Sequence, residues 1–305
     1  MKKYLFMIAA LVIVSCTDQM VEKDVVGDYA EQTPASDVTA LIEKARWGDG
    51  QAYLQLANCY HDGKGVKQDF LNMVCMMIYA DEYGAIKNIK DYLATLPEES
   101  EYRLVYEAMD KSEAKADEML EVADKLIAGD CIEGYTIKGI VLSEKSDKEE
   151  GKRLLEFAAE KGSTLAQIFL CIPGLHEIGE LDIDKLKALA DSVPIASVIL
   201  GDIYSGKTCD ESKKDDEQAV FYYMKADEHA LLGKFSARWL LNYHRNGGNV
   251  NLSEKDIERF EKLASMRSSR PEDRLREEME VETDEFDYDG IEAVDTIEVD
   301  TIEVE

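Results

Sequence analysis

Three aspartates, Asp69, Asp147 and Asp215, each open the same downstream pattern, and this recurrence constrains the chain more than any other feature. At +7 stand Met76, Leu154 and Tyr222, and at +8 Met77, Leu155 and Tyr223. Alanine fills +11 in every copy (Ala80, Ala158, Ala226), and +15 holds Gly84, Gly162 and Ala230. Offsets of 7, 8, 11 and 15 trace one face of an α-helix, so each aspartate precedes an amphipathic helix. The small residues at +11 and +15 are expected to let a neighbouring helix approach closely.

A second pattern lies upstream. Ala52, Leu56, Ala57 and Tyr60 match Ala196, Leu200, Gly201 and Tyr204, again at helical spacing. The middle copy keeps Gly134 and Gly139 but has Lys138 where leucine is expected. Each unit is thus a helix, a short turn and a helix. In the stretch YHDGKGVKQD, residues 60–69, Tyr60 closes the first helix and Gly63 and Gly65 supply the turn. Val66 packs beneath that turn, and Asp69 stands where an N-cap belongs. A phosphate-binding loop would need Gly-Lys-Ser/Thr before a helix and a strand behind it, and neither is present.

The aspartates lie 78 and 68 residues apart, about two hairpins each, so a worn copy is expected within Leu93–Ala128 and another within Gly162–Ser192. A half-copy begins at Gly233, where Ala237, Leu241 and Tyr243 echo the first helix. Pro97, Pro173 and Pro194 fall at expected inter-helix turns. The expectation is an all-α chain of about six helical hairpins over residues 37–268. One hairpin cannot bury its apolar face alone, but stacked neighbours can.

The unit resembles the Sel1-like repeat, a relative of the tetratricopeptide repeat. Ala52–Gly84 follows its pattern, most closely at Gly63-Lys64-Gly65-Val66, Asp69, Ala80 and Gly84. Ala57, Met73 and Asp81 depart from it, and the later copies keep Lys152–Gly162 and Val198–Tyr204 without the glycine turn. The resemblance implies an α/α superhelical solenoid whose concave surface binds proteins or peptides.

The ends read differently. Lys2 and Lys3 precede the apolar run Leu5–Val14, which is too short to span a bilayer and suits a signal peptide over residues 1–15. Ile13-Val14-Ser15-Cys16 resembles the bacterial lipobox, which implies a lipid-modified Cys16 as the first mature residue. Each buried CH₂ contributes roughly 0.8 kcal/mol, so two or three acyl chains give stable anchoring. Thr17 after the cysteine, in place of aspartate, points to the outer rather than the inner membrane of the bacterial envelope. Residues 16–36 are polar and aperiodic and would form a flexible tether. Residues 269–305 are expected to form a disordered acidic tail, in which residues 271–305 hold sixteen acidic residues against Arg274 and Arg276. Its end, DTIEVDTIEVE, alternates acidic with β-branched residues, which would also suit strand addition to a partner sheet. Asp287, Asp289 and Gly290 mimic part of a calcium loop, but Thr296 stands where the bidentate glutamate is needed, so no metal site is expected.

The formal charge of −29 repels phosphate backbones and speaks against a nucleic-acid partner. None of the cysteines has zinc-ligand spacing. Cys59 and Cys75 could pair across a hairpin or remain buried thiols. None of the common catalytic fingerprints is present, and no catalytic residue or cofactor is expected. Aromatic and charged residues near helix ends, namely Trp47, Tyr53, Trp239, Tyr243 and His244, are the candidates for contact with a partner. The leading expectation is a membrane-anchored, non-enzymatic adaptor for a protein or peptide. The rivals are an envelope enzyme acting on peptidoglycan or glycan through paired carboxyls, and an acidic cation-buffering protein.

Overall fold

The computed structural model describes residues 37–86, 89–110, 116–145, 147–171, 182–207 and 211–266. The signal sequence, Cys16, the tether, Pro173, His176, Cys209 and the acidic tail lie outside the described residues. The described chain is all-α: it forms α-helices and short turns, with no strand among the described residues. The helices are α1 (Val38–Ala45), α2 (Gly50–Asp62), α3 (Phe70–Glu82), α4 (Ile89–Ala94), α5 (Glu101–Asp110), α6 (Ala116–Ala128) and α7 (Ile132–Lys145). There follow α8 (Lys148–Glu160), α9 (Thr164–Phe169), α10 (Ile183–Leu189), α11 (Pro194–Tyr204), α12 (Asp216–Asp227), α13 (Lys234–Arg245) and α14 (Glu254–Ser265). They pack mainly as sequential pairs, α2 on α3, α7 on α8, α11 on α12 and α13 on α14.

The aligned aspartates all do the same work. Asp69, Asp147 and Asp215 are the N-caps of α3, α8 and α12, accepting from the backbone N–H of Asn72, Glu150 and Gln218. Each satisfies one of the amides that a helix start leaves without an internal partner. The backbone N–H of Asp69 bonds the Tyr60 carbonyl at 3.0 Å, and that of Asp215 bonds the Tyr204 carbonyl at 2.9 Å. The two tyrosines matched in the sequence therefore sit at equivalent places. Asp182 likewise bonds the Cys171 carbonyl at 2.9 Å and caps α10. Pro194 occupies the first position of α11, where its missing N–H costs nothing.

The small residues at +15 have a different purpose from the one the sequence suggests. Gly84, Gly162 and Ala230 all have left-handed backbone, with φ of 74°, 95° and 57°. In each copy the next residue's N–H returns to the +11 alanine carbonyl: Ala85 to Ala80, Ser163 to Ala158, and Leu231 to Ala226. This closure stops the helix and turns the chain into the next one. A Cβ on Gly84 would meet nothing within 4 Å, so backbone conformation rather than close helix approach selects the small residue there.

Helix α3 carries most of the first hairpin's core. Phe70, Leu71, Met73, Val74, Cys75, Met76, Met77 and Ala80 are all buried, so the helix is covered on several sides. Burying each of its large apolar side chains contributes roughly 1.5–3 kcal/mol. Its two ends meet parts of the chain far away in sequence. At the N-terminal end Thr164 donates to Asp69 Oδ1 at 3.0 Å and Lys67 Nζ reaches the Gly162 carbonyl at 3.4 Å. At the C-terminal end the Tyr79 hydroxyl donates to the Leu231 carbonyl at 2.9 Å. The first and last of the described helices, α1 and α14, also meet, with Lys255 Nζ 3.8 Å from the Glu43 carboxylate. Arg259 of α14 donates to Asp227 at 2.5 and 2.6 Å, and Arg46, just after α1, donates to the same carboxylate at 2.7 Å. The chain therefore folds back on itself, beyond the contacts that stacking of immediate neighbours supplies.

Candidate partner-binding surface

Of the five residues expected at a binding surface, three are brought together on α13. Trp239 and Tyr243 are one helical turn apart, and their rings stack with centroids 5.3 Å apart and planes 7° from parallel. His244 follows, its Nδ1 lying 3.2 Å from the Val250 carbonyl. All three are half-buried, with one side on the fold and one towards solvent. Trp47 is also half-buried but sits in the α1–α2 turn, under the Lys262 ammonium at 5.6 Å. Tyr53 is a correction. It is fully buried on α2, stacked between Tyr79 at 5.1 Å and Tyr83 at 5.4 Å, and cannot meet an outside molecule. The reason is its place on the face of α2 that packs on α3, beside Ala52, Leu56 and Ala57.

The Trp239 ring is held by a chain of contacts that starts two helices away. Tyr223 of α12 meets it edge to face at 5.6 Å. The Tyr223 hydroxyl donates to Asp202 Oδ1 at 2.7 Å and lies 2.9 Å from the Ser205 hydroxyl. Burial, followed by the neighbouring Asp202 charge, pushes the Tyr223 phenol well above its ordinary range, so it remains a donor at any physiological pH. Asp202 is buried and is reached by Lys207 Nζ at 3.1 Å. Space for the Tyr223 ring comes from Gly201, where any Cβ would fall into the ring. The Gly201 that aligns with Ala57 in the sequence is thus a steric requirement.

The sequence reading missed Phe221. It is 55% exposed on α12, packs edge to face on Tyr222 at 4.9 Å, and has Lys225 Nζ 5.9 Å from its ring centre. A signal existed. The buried stripe of α12 is Ala219, Tyr222, Tyr223 and Ala226, and Phe221 lies off it.

One pair of carboxyls is linked through adjacent residues at the start of α9. Asp69 and Glu133 are held by adjacent residues, Thr164 and Ser163, but Glu133 is only 4% exposed. Cys59, Cys75, Cys131 and Cys171 are buried free thiols, so Cys59 and Cys75 do not form a disulfide. Burial raises all four thiols above their ordinary range and keeps them protonated and unreactive. Among the described residues no helix is long and apolar enough to cross a membrane.

The chain matches no protein-family model and no curated protein.

Proposed function

We propose that the chain is a membrane-anchored, non-enzymatic adaptor that holds a protein or peptide partner on α13, through Trp239, Tyr243 and the neighbouring His244. In this reading the helical pairs stack as a Sel1-like α/α superhelical solenoid, bent so that its first and last helices meet. A lipid on Cys16 holds it in the bacterial cell envelope, at the outer membrane, and residues 16–36 give it reach.

The observation that carries the reading is the half-exposed Trp239–Tyr243 stack. Large rings fixed by neighbours lose little freedom on binding, and tryptophan and tyrosine dominate the energetic centres of protein interfaces. Trp239 is fixed in this way by Tyr223 and Asp202. The test is cross-linking and pull-down of the full chain from detergent-solubilised membranes, alongside Trp239→Ala and Tyr243→Ala variants. The expected result is a stoichiometric protein whose recovery falls at least tenfold in either variant. Equal recovery by variant and wild type, or no co-purifying protein, would overturn the proposal. Intact mass of the mature protein reports separately on lipid at Cys16.

A further inference from the structure

A buried polar cluster lies where α3, α7 and α9 meet. Glu133, in the first turn of α7, accepts from the Ser163 hydroxyl at 2.8 Å. Ser163 is the N-cap of α9, so its oxygen also accepts from the Ala166 N–H at 3.1 Å. Thr136, one turn along α7, places its hydroxyl 3.0 Å from that of Ser163. Thr164 then bonds Asp69, the N-cap of α3. Glu133, Thr136 and Ser163 are buried. One pair of adjacent residues therefore starts α9 and joins it to two other helices.

The cluster contains carboxyls and hydroxyls but no cation bonded to Glu133. The charged and titratable groups around it are few. Asp69 faces it from the start of α3, with Lys67 beside Asp69. Tyr102 faces it from α5, with Glu101 and the His61 ring next to Tyr102. Cys131 lies just before the start of α7. Of these only Lys67 is always positive at neutral pH, and its ammonium is directed at the Gly162 carbonyl.

We propose that this junction is a proton-responsive joint, in which a proton held by Glu133 seats α9 firmly against α3 and α7 and loss of that proton loosens it. The hydrogen bonds allow both states. With Glu133 ionised, Ser163 donates to it and accepts from Ala166. With Glu133 protonated, its own O–H donates to the Ser163 oxygen and Ser163 turns its proton to Thr136. No bond to the α9 amide is lost, and the uncompensated buried charge is gone.

Burial pushes the Glu133 carboxyl up to about 7, against the pull of the Ser163 and Thr136 hydroxyls and with a further push from Asp69. Because the folded value lies above the unfolded one, the stabilising effect is complete below the ordinary glutamate range. It is lost as pH rises through about 7. Burial raises Asp69 as well, which adds to the response with the same sign.

The test is amide hydrogen exchange of the full chain at pH 5.5 and 8, corrected for intrinsic rates, in wild type and Glu133→Gln. Opening of residues 163–171 in wild type should be about tenfold more frequent at the higher pH. That of α13 should change far less, and Glu133→Gln should remove most of the difference. Wild-type protection of 163–171 that does not vary with pH, or varies in step with α13, overturns the proposal even if the variant fails to fold. A Glu133→Gln protein that keeps the wild-type response overturns it too.

Discussion

Two junctions close this fold, and they treat a buried carboxylate in opposite ways. At the joint between the first and last described helices, Asp227 is buried but accepts from two guanidinium groups, those of Arg46 and Arg259. At the joint of α3, α7 and α9, Glu133 is equally buried but has only hydroxyl partners. Burial disfavours a charge in both places. A fixed opposite charge offsets that cost in the first, whereas the second is relieved by taking up a proton. Two similar-looking contacts between distant segments thus respond differently to pH. At the closing joint burial pushes Asp256 up, yet hydrogen bonds from Ser253 and Arg259 outweigh it and hold the group below its ordinary range. A depressed carboxyl contributes stability above its unfolded value and loses it as pH falls through the folded one. Strong acid should therefore weaken the closing joint while the Glu133 joint stays firm.

The largest expected effect breaks the charged joint. Arg259→Met leaves Asp227 buried with Arg46 alone, and urea denaturation should show a loss of about 3–5 kcal/mol. A loss below about 1 kcal/mol would mean that Arg46 suffices and that the joints differ less than the geometry implies. Next comes Glu133→Gln, which removes the buried charge without removing volume. At pH 8 it should raise stability by about 2–3 kcal/mol, and near pH 4.5 the gain should vanish. A gain of the same size at both pH values would show that something other than the proton is responsible.

Gly201→Ala sharpens the comparison by perturbing neither joint. Its added methyl displaces the Tyr223 ring, which should cost about 1–3 kcal/mol and shift tryptophan fluorescence through Trp239. If fluorescence is unchanged, Tyr223 does not position Trp239. The smallest effect belongs to Asp147→Ala, an exposed cap that touches neither joint and should cost about 1 kcal/mol in urea denaturation. Ser163→Ala should cost more, because that hydroxyl caps α9 and also serves Glu133.

Local order was largely legible in the sequence, because caps and stripes depend on neighbours within a turn or two. Asp69, Asp147 and Asp215 cap three helices, and Leu155, Ala158, Tyr222, Tyr223 and Ala226 are buried at the offsets that the repeat sets. What was not legible is long-range. Thr164 meets Asp69 across 95 residues and Arg46 meets Asp227 across 181, and no period links such positions. Tyr53 resembles the half-buried candidates Trp47, Trp239 and Tyr243 in residue type, which alone does not say which face of α2 meets α3. The +15 residues misled for another reason. A small side chain serves close packing and left-handed backbone alike, and only the dihedral angles tell them apart. In the candidate surface, the sequence signal for Trp239, Tyr243 and His244 is their place near a helix end. Phe221 was passed over although it lay off its helix's buried stripe.

The most direct measurement is the carbon-13 shift of the Glu133 side-chain carboxyl, followed by NMR from pH 4 to 9 in the intact, folded chain. A midpoint near 7 is the expected result, with the amide of Ala166 moving in parallel because Ser163 joins the two. A midpoint in the ordinary glutamate range, with Ala166 unmoved, would contradict it and leave the two joints alike in their response to protons.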